Sequence, residues 1–300
     1  MTTTTVVAAA PEAAVPKRLA LRRFVRRFRA NRAALIGAAF VLLLVLVAIL
    51  APVLAPADPN KQNLSETFLS PGSGHWLGTD DFGRDQLSRL IYGARVSLLA
   101  ALIAVFVGTA VGVPLGMLAG YKPGGLDAVL GRFNDALMSV PALIFAMTVV
   151  AVFGRGLTVT MIAVGIIFIP RFFRISRAAT QDVREETFIE ASRALGCSSS
   201  RTVWRHLFPN VMLPLVVQVS LMLGAAVTVE ASLSFLGLGV QPPTASWGSM
   251  LNSAAANMSR GPYLVYAPGI VIALTVLALT FVGDGVRDAL GTRRIVGEAV

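Results

Sequence analysis

One cysteine, two histidines and three lysines occur in 300 residues, and each shortage removes a class of function. The lone thiol, Cys197, closes no internal disulfide. His75 and His206 fall on opposite sides of the membrane topology read below, so no compact His/Cys metal centre or haem pair can be assembled. None of Lys17, Lys61 and Lys122 follows a glycine, so the Gly-Lys step of a Walker A loop is missing and no ATP site is expected in this chain. Ser198, Ser199 and Ser200 lack the membrane-buried histidine of an intramembrane serine hydrolase. No catalytic, cofactor-binding or metal-ligating residue is assigned. Charge is scarce as well: 14% charged residues against 55% hydrophobic ones argue against a water-soluble chain.

What the chain does have is long uncharged runs, at 33–57, 96–121, 136–154, 156–170, 211–229 and 261–283. About 20 helical residues cross the ~30 Å hydrocarbon layer. Five runs qualify, the fourth needs its flanks, and the predicted count is six. The stretch 231–259 is discounted because it is rich in Gly, Pro, Ser and Asn. The first run exceeds a cleavable leader's apolar core and is read as an uncleaved anchor.

The formal charge of +10 could suggest nucleic acid, but its placement gives another reading. Eight basic residues precede position 33, and alternate loops then divide the rest so that twenty lie on the N-terminal side and six on the other. This positive-inside bias puts both termini in the cytoplasm and leaves no role for nucleic acid. The fold class expected is all-α, a polytopic membrane protein. Its organisation reads as a basic tail and interfacial helix over 1–32, a first span and outer segment over 33–95, a five-helix core over 96–285 and a cytoplasmic tail over 286–300. Within the first region, 1–16 is low-complexity and read as disordered, while Leu21, Phe24, Val25 and Phe28 recur at helical spacing among arginines, which reads either as a helix lying against membrane lipid or as a basic segment that only fixes topology.

Span one is nearly free of glycine and is expected to face lipid, whereas Gly108, Gly112, Gly116 and Gly120 recur every fourth residue and predict close helix packing. Spans three and four form a tight hairpin over 153–156, with Pro141 and Pro170 in their inner portions and Arg171, Arg174 and Arg177 continuing inward. The cytoplasmic segment 182–196 predicts a helix capped by Asp182 and ended by Gly196. A second short helix then starts at Ser198, Ser199 or Ser200 and ends at Pro209. Such a projection suits insertion into a groove on a cytoplasmic partner; packing on its own bundle is the other reading.

The string Glu190-Ala191-Ser192-Arg193-Ala194-Leu195-Gly196, nine residues, then His206-Leu207-Phe208-Pro209 resembles the signature loop of binding-protein-dependent ABC importer permeases, E-A-A-x-x-x-G, nine positions, I-x-L-P. Ser192, His206 and Phe208 depart from that pattern while the spacing is intact. Gly78-Thr79-Asp80, Gly83-Arg84-Asp85, LSRLIYGAR over 87–95 and EASLSFLGLG over 230–239, followed by Pro242-Pro243 and Trp247-Gly248, are similar to the C-type subunit of dipeptide, oligopeptide and nickel importers. The resemblance covers about 25–295. It implies a type I importer permease with a cytoplasmic coupling-helix loop in a bacterial inner membrane. It also implies a homologous B-type permease, two ABC ATPase subunits that bind ATP and Mg, and an extracytoplasmic solute-binding protein as partners. Glu190, Ala191, Gly196, Trp204, His206 and Pro209 become the ATPase-coupling candidates, and their role is mechanical.

Two further candidates stand apart. Glu230, an acid between long uncharged stretches near the outer hydrocarbon boundary, reads either as a pathway or gate residue or as a structural hydrogen-bonding group. Asp80, Asp81, Arg84 and Asp85 read either as an internally paired outer lid or as a dock for the binding protein. Trp247 is expected to anchor an outer loop at the membrane interface. The substrate implied is a di- or oligopeptide, with nickel or haem as alternatives on the same fold. An ion-driven secondary transporter is the competing class, although internal repeats are not seen.

Overall fold

Helix boundaries follow local chemistry in the computed structural model, which describes residues 17–72 and 74–291. The segment 1–16 and positions 292–300 of the tail lie outside the described residues. An arginine-rich α1 (Lys17–Ala30) leads through Asn31 into α2 (Arg32–Ile49), and the Asn31 side chain caps α2 by accepting from Ala34 N at 3.1 Å. A short α3 (Ala51–Leu54) and an irregular segment follow, and then Asp85, accepting from Ser88 N at 2.7 Å, starts α4 (Gln86–Tyr121). The chain continues through α5 (Gly125–Ser139), α6 (Ala142–Phe153), α7 (Leu157–Arg184), α8 (Thr187–Ala194), α9 (Ser199–Arg201), α10 (Phe208–Phe235), α11 (Trp247–Ala256) and α12 (Tyr266–Leu290). Among the described residues no strand forms; a single antiparallel bridge joins Thr79 to Asp85.

Five helical stretches are long and apolar enough to cross a membrane, and the bent α5–α6 pair makes a sixth if counted as one span. The core is α4 against α7. The glycine stripe of α4 faces that partner: a Cβ on Gly112 would lie 2.7 Å from Ile169 O and 2.8 Å from Phe172 Cβ, and on Gly120 2.6 Å from Arg177 O. Backbone therefore meets backbone where the period-four pattern predicted it. Helix α10 packs beside this pair, α12 packs on α10, and α2 covers α12.

Four expectations are corrected. The third span is not one straight helix: it breaks at Val140 and Pro141 with an 87° bend, leaving α6 only 12 residues long. The residue before a proline is driven out of the helical region, and Val140 sits at φ −88°, ψ 125°. Span one is not uniformly lipid-facing, because Gly37 abuts α12, where an added Cβ would lie 2.7 Å from Ala278 O. Asp182 caps nothing; it belongs to the last turns of α7, and the next helix starts only at Thr187. The second loop helix does not end at Pro209 but runs on, as one 37-residue rod from Ser199 to Phe235. Pro209 donates no backbone hydrogen bond within that rod, and it follows directly on a wider turn over 202–207.

Arg174 and Arg177, expected to reach headgroups or partner carboxylates, find carboxylates of their own chain. Arg177 grips Asp127 through Nε and a terminal nitrogen at 2.5 and 2.6 Å, and Arg174 meets Asp135 at 3.0 Å. These pairs tie α5 to α7 below the bend.

Candidate functional site

The loop between α7 and α10 is held from inside and bare outside. In α8, Ile189 and Ser192 turn inward, while on the returning limb Thr202 and Leu207 do the same. Ser192 Oγ and Thr202 Oγ1, 3.5 Å apart, bring the limbs together. Between them Gly196 adopts φ +76°, and Cys197 N donates to Ser192 O at 3.1 Å. This six-to-one bond over a left-handed residue is the Schellman ending of a helix, which glycine adopts without strain. The residues 202–207 form a π turn, with Phe208 N donating to Val203 O.

The opposite surface carries Glu190, Ala191, Gly196 and Pro209, all exposed, with His206 half-buried and its carbonyl accepting from Asn210 Nδ2 at 2.7 Å. Leu195 is 84% and Trp204 62% exposed, and Phe188 is also open. The Trp204 ring leans on Phe208, centroids 5.4 Å apart. All six sequence-selected loop residues thus lie in one projection. Its free apolar side chains sit outside the apolar core of the spans, a pattern that marks an interaction surface.

The GTDDFGRD block occupies the other end. Asp80 Oδ2 receives Arg84 Nε at 2.7 Å and lies 3.4 Å from Arg89 Nε, while Asp80 Oδ1 accepts from Phe82 N and Arg84 N at 3.0 and 2.9 Å. Asp85 caps α4 and also lies 2.7 Å from His75 Nδ1. Asp81 accepts from Ser253 Oγ at 3.2 Å, linking the block to α11. Asp80, Arg84 and Asp85 are buried, so their charges are spent on one another and on backbone amides.

Glu230 is fully enclosed by its own chain. Ser234 Oγ donates to its Oε1 at 2.7 Å, and the hydroxyls of Ser97 and Ser246 face the same carboxyl. It therefore sits at the joint of α4, α10 and α11 with no surface toward a channel in this conformation. Trp247 corrects its expectation: it is buried rather than interfacial, its indole Nε1 donating to Leu90 O at 3.1 Å and its amide to Ser97 Oγ at 3.2 Å.

The profile of the binding-protein-dependent transport system inner membrane component family matches residues 112–296. The chain belongs to this family. A second profile, the N-terminal transmembrane domain of oligopeptide transport permease C, matches 20–71. Among curated relatives, the glutathione transport system permease protein GsiD of Pectobacterium atrosepticum is 41% identical over 270 residues, covering 90% of each chain. The di/tripeptide transport system permease protein DppC of Pseudomonas aeruginosa is 41% identical over 279 residues, covering 90% of this chain and 91% of that one. An inward-facing structure of the MetNI methionine ABC transporter superposes with a TM-score of 0.55 at 22% identity, over 67% of this chain and 96% of that one, and so supports the fold. This protein is a multi-pass permease subunit of an ABC importer.

Two parts of the permease escaped the reading of its sequence. Arg89 locks the lid: besides Asp80 it reaches Pro59 O at 3.0 Å and Pro243 O at 3.3 Å, pinning two separate outer segments to α4. The spacing Asp85–Arg89, one helical turn, suggests a different pair from the one that forms, since Asp85 is taken by Ser88 N and His75. The Ser97–Trp247–Glu230 joint had no signal in the sequence, because its members are 17 to 150 positions apart.

Proposed function

We propose that this permease is the C-type subunit of an importer of di- and oligopeptides, paired with a homologous B-type permease. ATP and Mg bind to two ATPase subunits that dock on the 187–209 loop, and an extracytoplasmic binding protein delivers the solute. The observation that carries this reading is the bare apolar face of Phe188, Leu195 and Trp204 around the left-handed Gly196, on the stretch that matches the coupling signature. Relatives named for di/tripeptide and glutathione transport support the substrate class, since glutathione is itself a γ-linked tripeptide. Glu230 and the Asp80–Arg84–Asp85 lid serve in this reading to hold the outer end together.

The test is reconstitution. Purified in lipid alone, this chain should hydrolyse no ATP; with its partner permease, ATPases and loaded binding protein it should take up labelled dipeptide or glutathione only when ATP is supplied. Uptake by the chain alone on an ion gradient would assign it to secondary transport. Nickel or haem retained by the partner binding protein would replace the peptide reading.

The skewed distribution of Lys and Arg supports cytoplasmic termini. In a Cys197→Ser background, Ser65→Cys should react with an impermeant maleimide on intact spheroplasts and Ser200→Cys only after permeabilisation. The reverse pattern would invert the topology.

A further inference from the structure

Near the N-terminal end of α4, two arginines behave differently. Arg89 is buried and fully partnered, whereas Arg95 is exposed and makes no hydrogen bond or ion pair among the described residues. Arg95 lines a cavity of about 290 Å³ together with Tyr92, Asn60, Thr244, Leu99 and Leu157. Arg89 builds the wall of this notch, since the carbonyls it holds belong to Pro59 and Pro243, next to Asn60 and Thr244. A guanidinium with no counter-ion, flanked by a phenol, an amide and a hydroxyl, is suited to an oxyanion with two free oxygens.

Below the notch the same helix face turns apolar. Leu99, Leu102 and Phe106 follow Arg95 at intervals of four, seven and eleven residues, which places all four on one stripe. The three apolar members are 53%, 56% and 72% exposed. Of the glycines that pack against α7, Gly108 and Gly112 lie more than a quarter turn round α4 from this stripe. From Arg95 to Phe106 the stripe runs about 16 Å. That matches one leaflet, half of the ~30 Å hydrocarbon layer. Arg95 also immediately precedes the uncharged run 96–121, which sets its guanidinium at headgroup level.

The geometry points to a binding site for one phospholipid molecule, its phosphodiester in the Arg95 notch and an acyl chain along Leu99, Leu102 and Phe106. In the orientation given above this is the outer leaflet. The charge selects the phosphate, with phosphatidylglycerol preferred over zwitterionic lipids because its net charge is uncompensated. The lipid would caulk the seam between α4, the start of α7 and the lid segments that Arg89 pins.

The experiment uses the assembled importer, delipidated and then exchanged into nanodiscs of phosphatidylglycerol, with retained lipid counted by native mass spectrometry after mild detergent release. Wild type should keep one tightly held phosphatidylglycerol per copy of this chain. Arg95→Ala should lower that occupancy at least ten-fold with unchanged complex yield, Arg95→Lys should retain it in part, and Leu102→Trp should lower it by blocking the chain track. Diacylglycerol with the same chains should not be retained. Equal lipid counts in wild type and Arg95→Ala would overturn the site, as would retention of diacylglycerol. So would a wild-type complex that keeps no lipid because the partner permease covers the stripe. Displacement of the lipid by dipeptide, or loss of peptide binding in Arg95→Ala with lipid unchanged, would assign the notch to a substrate carboxylate instead.

Discussion

Gly196→Trp is expected to abolish uptake while leaving the inserted complex at normal abundance. At φ +76° a side chain imposes left-handed strain of about 1–2 kcal/mol, a small part of a domain's stability. An added Cβ meets nothing of this chain within 4 Å, so the indole would project outward, onto whatever covers that face. Gly196→Ala carries the strain without the bulk and should keep most uptake. Measuring uptake per inserted complex beside ATPase co-purification separates coupling from folding. Normal uptake with normal association in Gly196→Trp would remove the loop from the coupling pathway. If the loop only packs on its own bundle, abundance should fall in step with activity.

Gly116→Leu should have the opposite signature, loss of the folded protein itself. A Cβ there would overlap Ser176 Oγ and the Phe173 carbonyl, and the second of these is backbone that cannot turn aside. Overpacking a rigid core costs about 1–3 kcal/mol or more per residue, and separating α4 from α7 would also expose the Ser176 hydroxyl, which points at Gly112 O from 3.4 Å. The expected result is a several-fold drop in detergent-extractable, monodisperse protein, with the residual fraction retaining normal uptake per complex. A monodisperse wild-type yield of Gly116→Leu would mean that the α4–α7 contact is looser than described.

The two glycines also show which parts of the fold could be read before the structure. A period of four along an uncharged run specifies a helix face whatever the partner, so the α4 stripe was legible although α7 was not known to receive it. Gly196 was legible because a helix-forming, charged segment stops on it. The break in the third span was hidden because charge marks where a span ends, and no charge falls at the bend. The lone signal, Pro141, was also compatible with an inner helix end. Asp182 misled for a related reason: an acid ahead of an amphipathic stretch looks like a cap, yet the preceding helix had not finished. Trp247 looked interfacial from its neighbours, but the acceptors for its two N–H groups, Leu90 O and Ser97 Oγ, come from another helix 150 or more positions away. The lid was legible as charges of both signs but not as a closed set, since Arg89 finds its carbonyls in two segments that only folding brings near.

The rod from Ser199 to Phe235 has a mechanical implication. Its 37 residues extend about 55 Å, of which about 39 Å separates the exposed Trp204 from the sealed carboxyl of Glu230. Pro209 and Pro214 donate no backbone hydrogen bond within it, so its softer stretch runs from the π turn at 202–207 to Pro214, and the helix beyond is the stiffer part. A tilt applied at Trp204 would be carried, over more than the ~30 Å hydrocarbon layer, to the serine-rimmed joint where α4 and α11 meet. In the proposed importer this single covalent element would link the cytoplasmic loop to the outer joint, so that a movement of one is felt at the other.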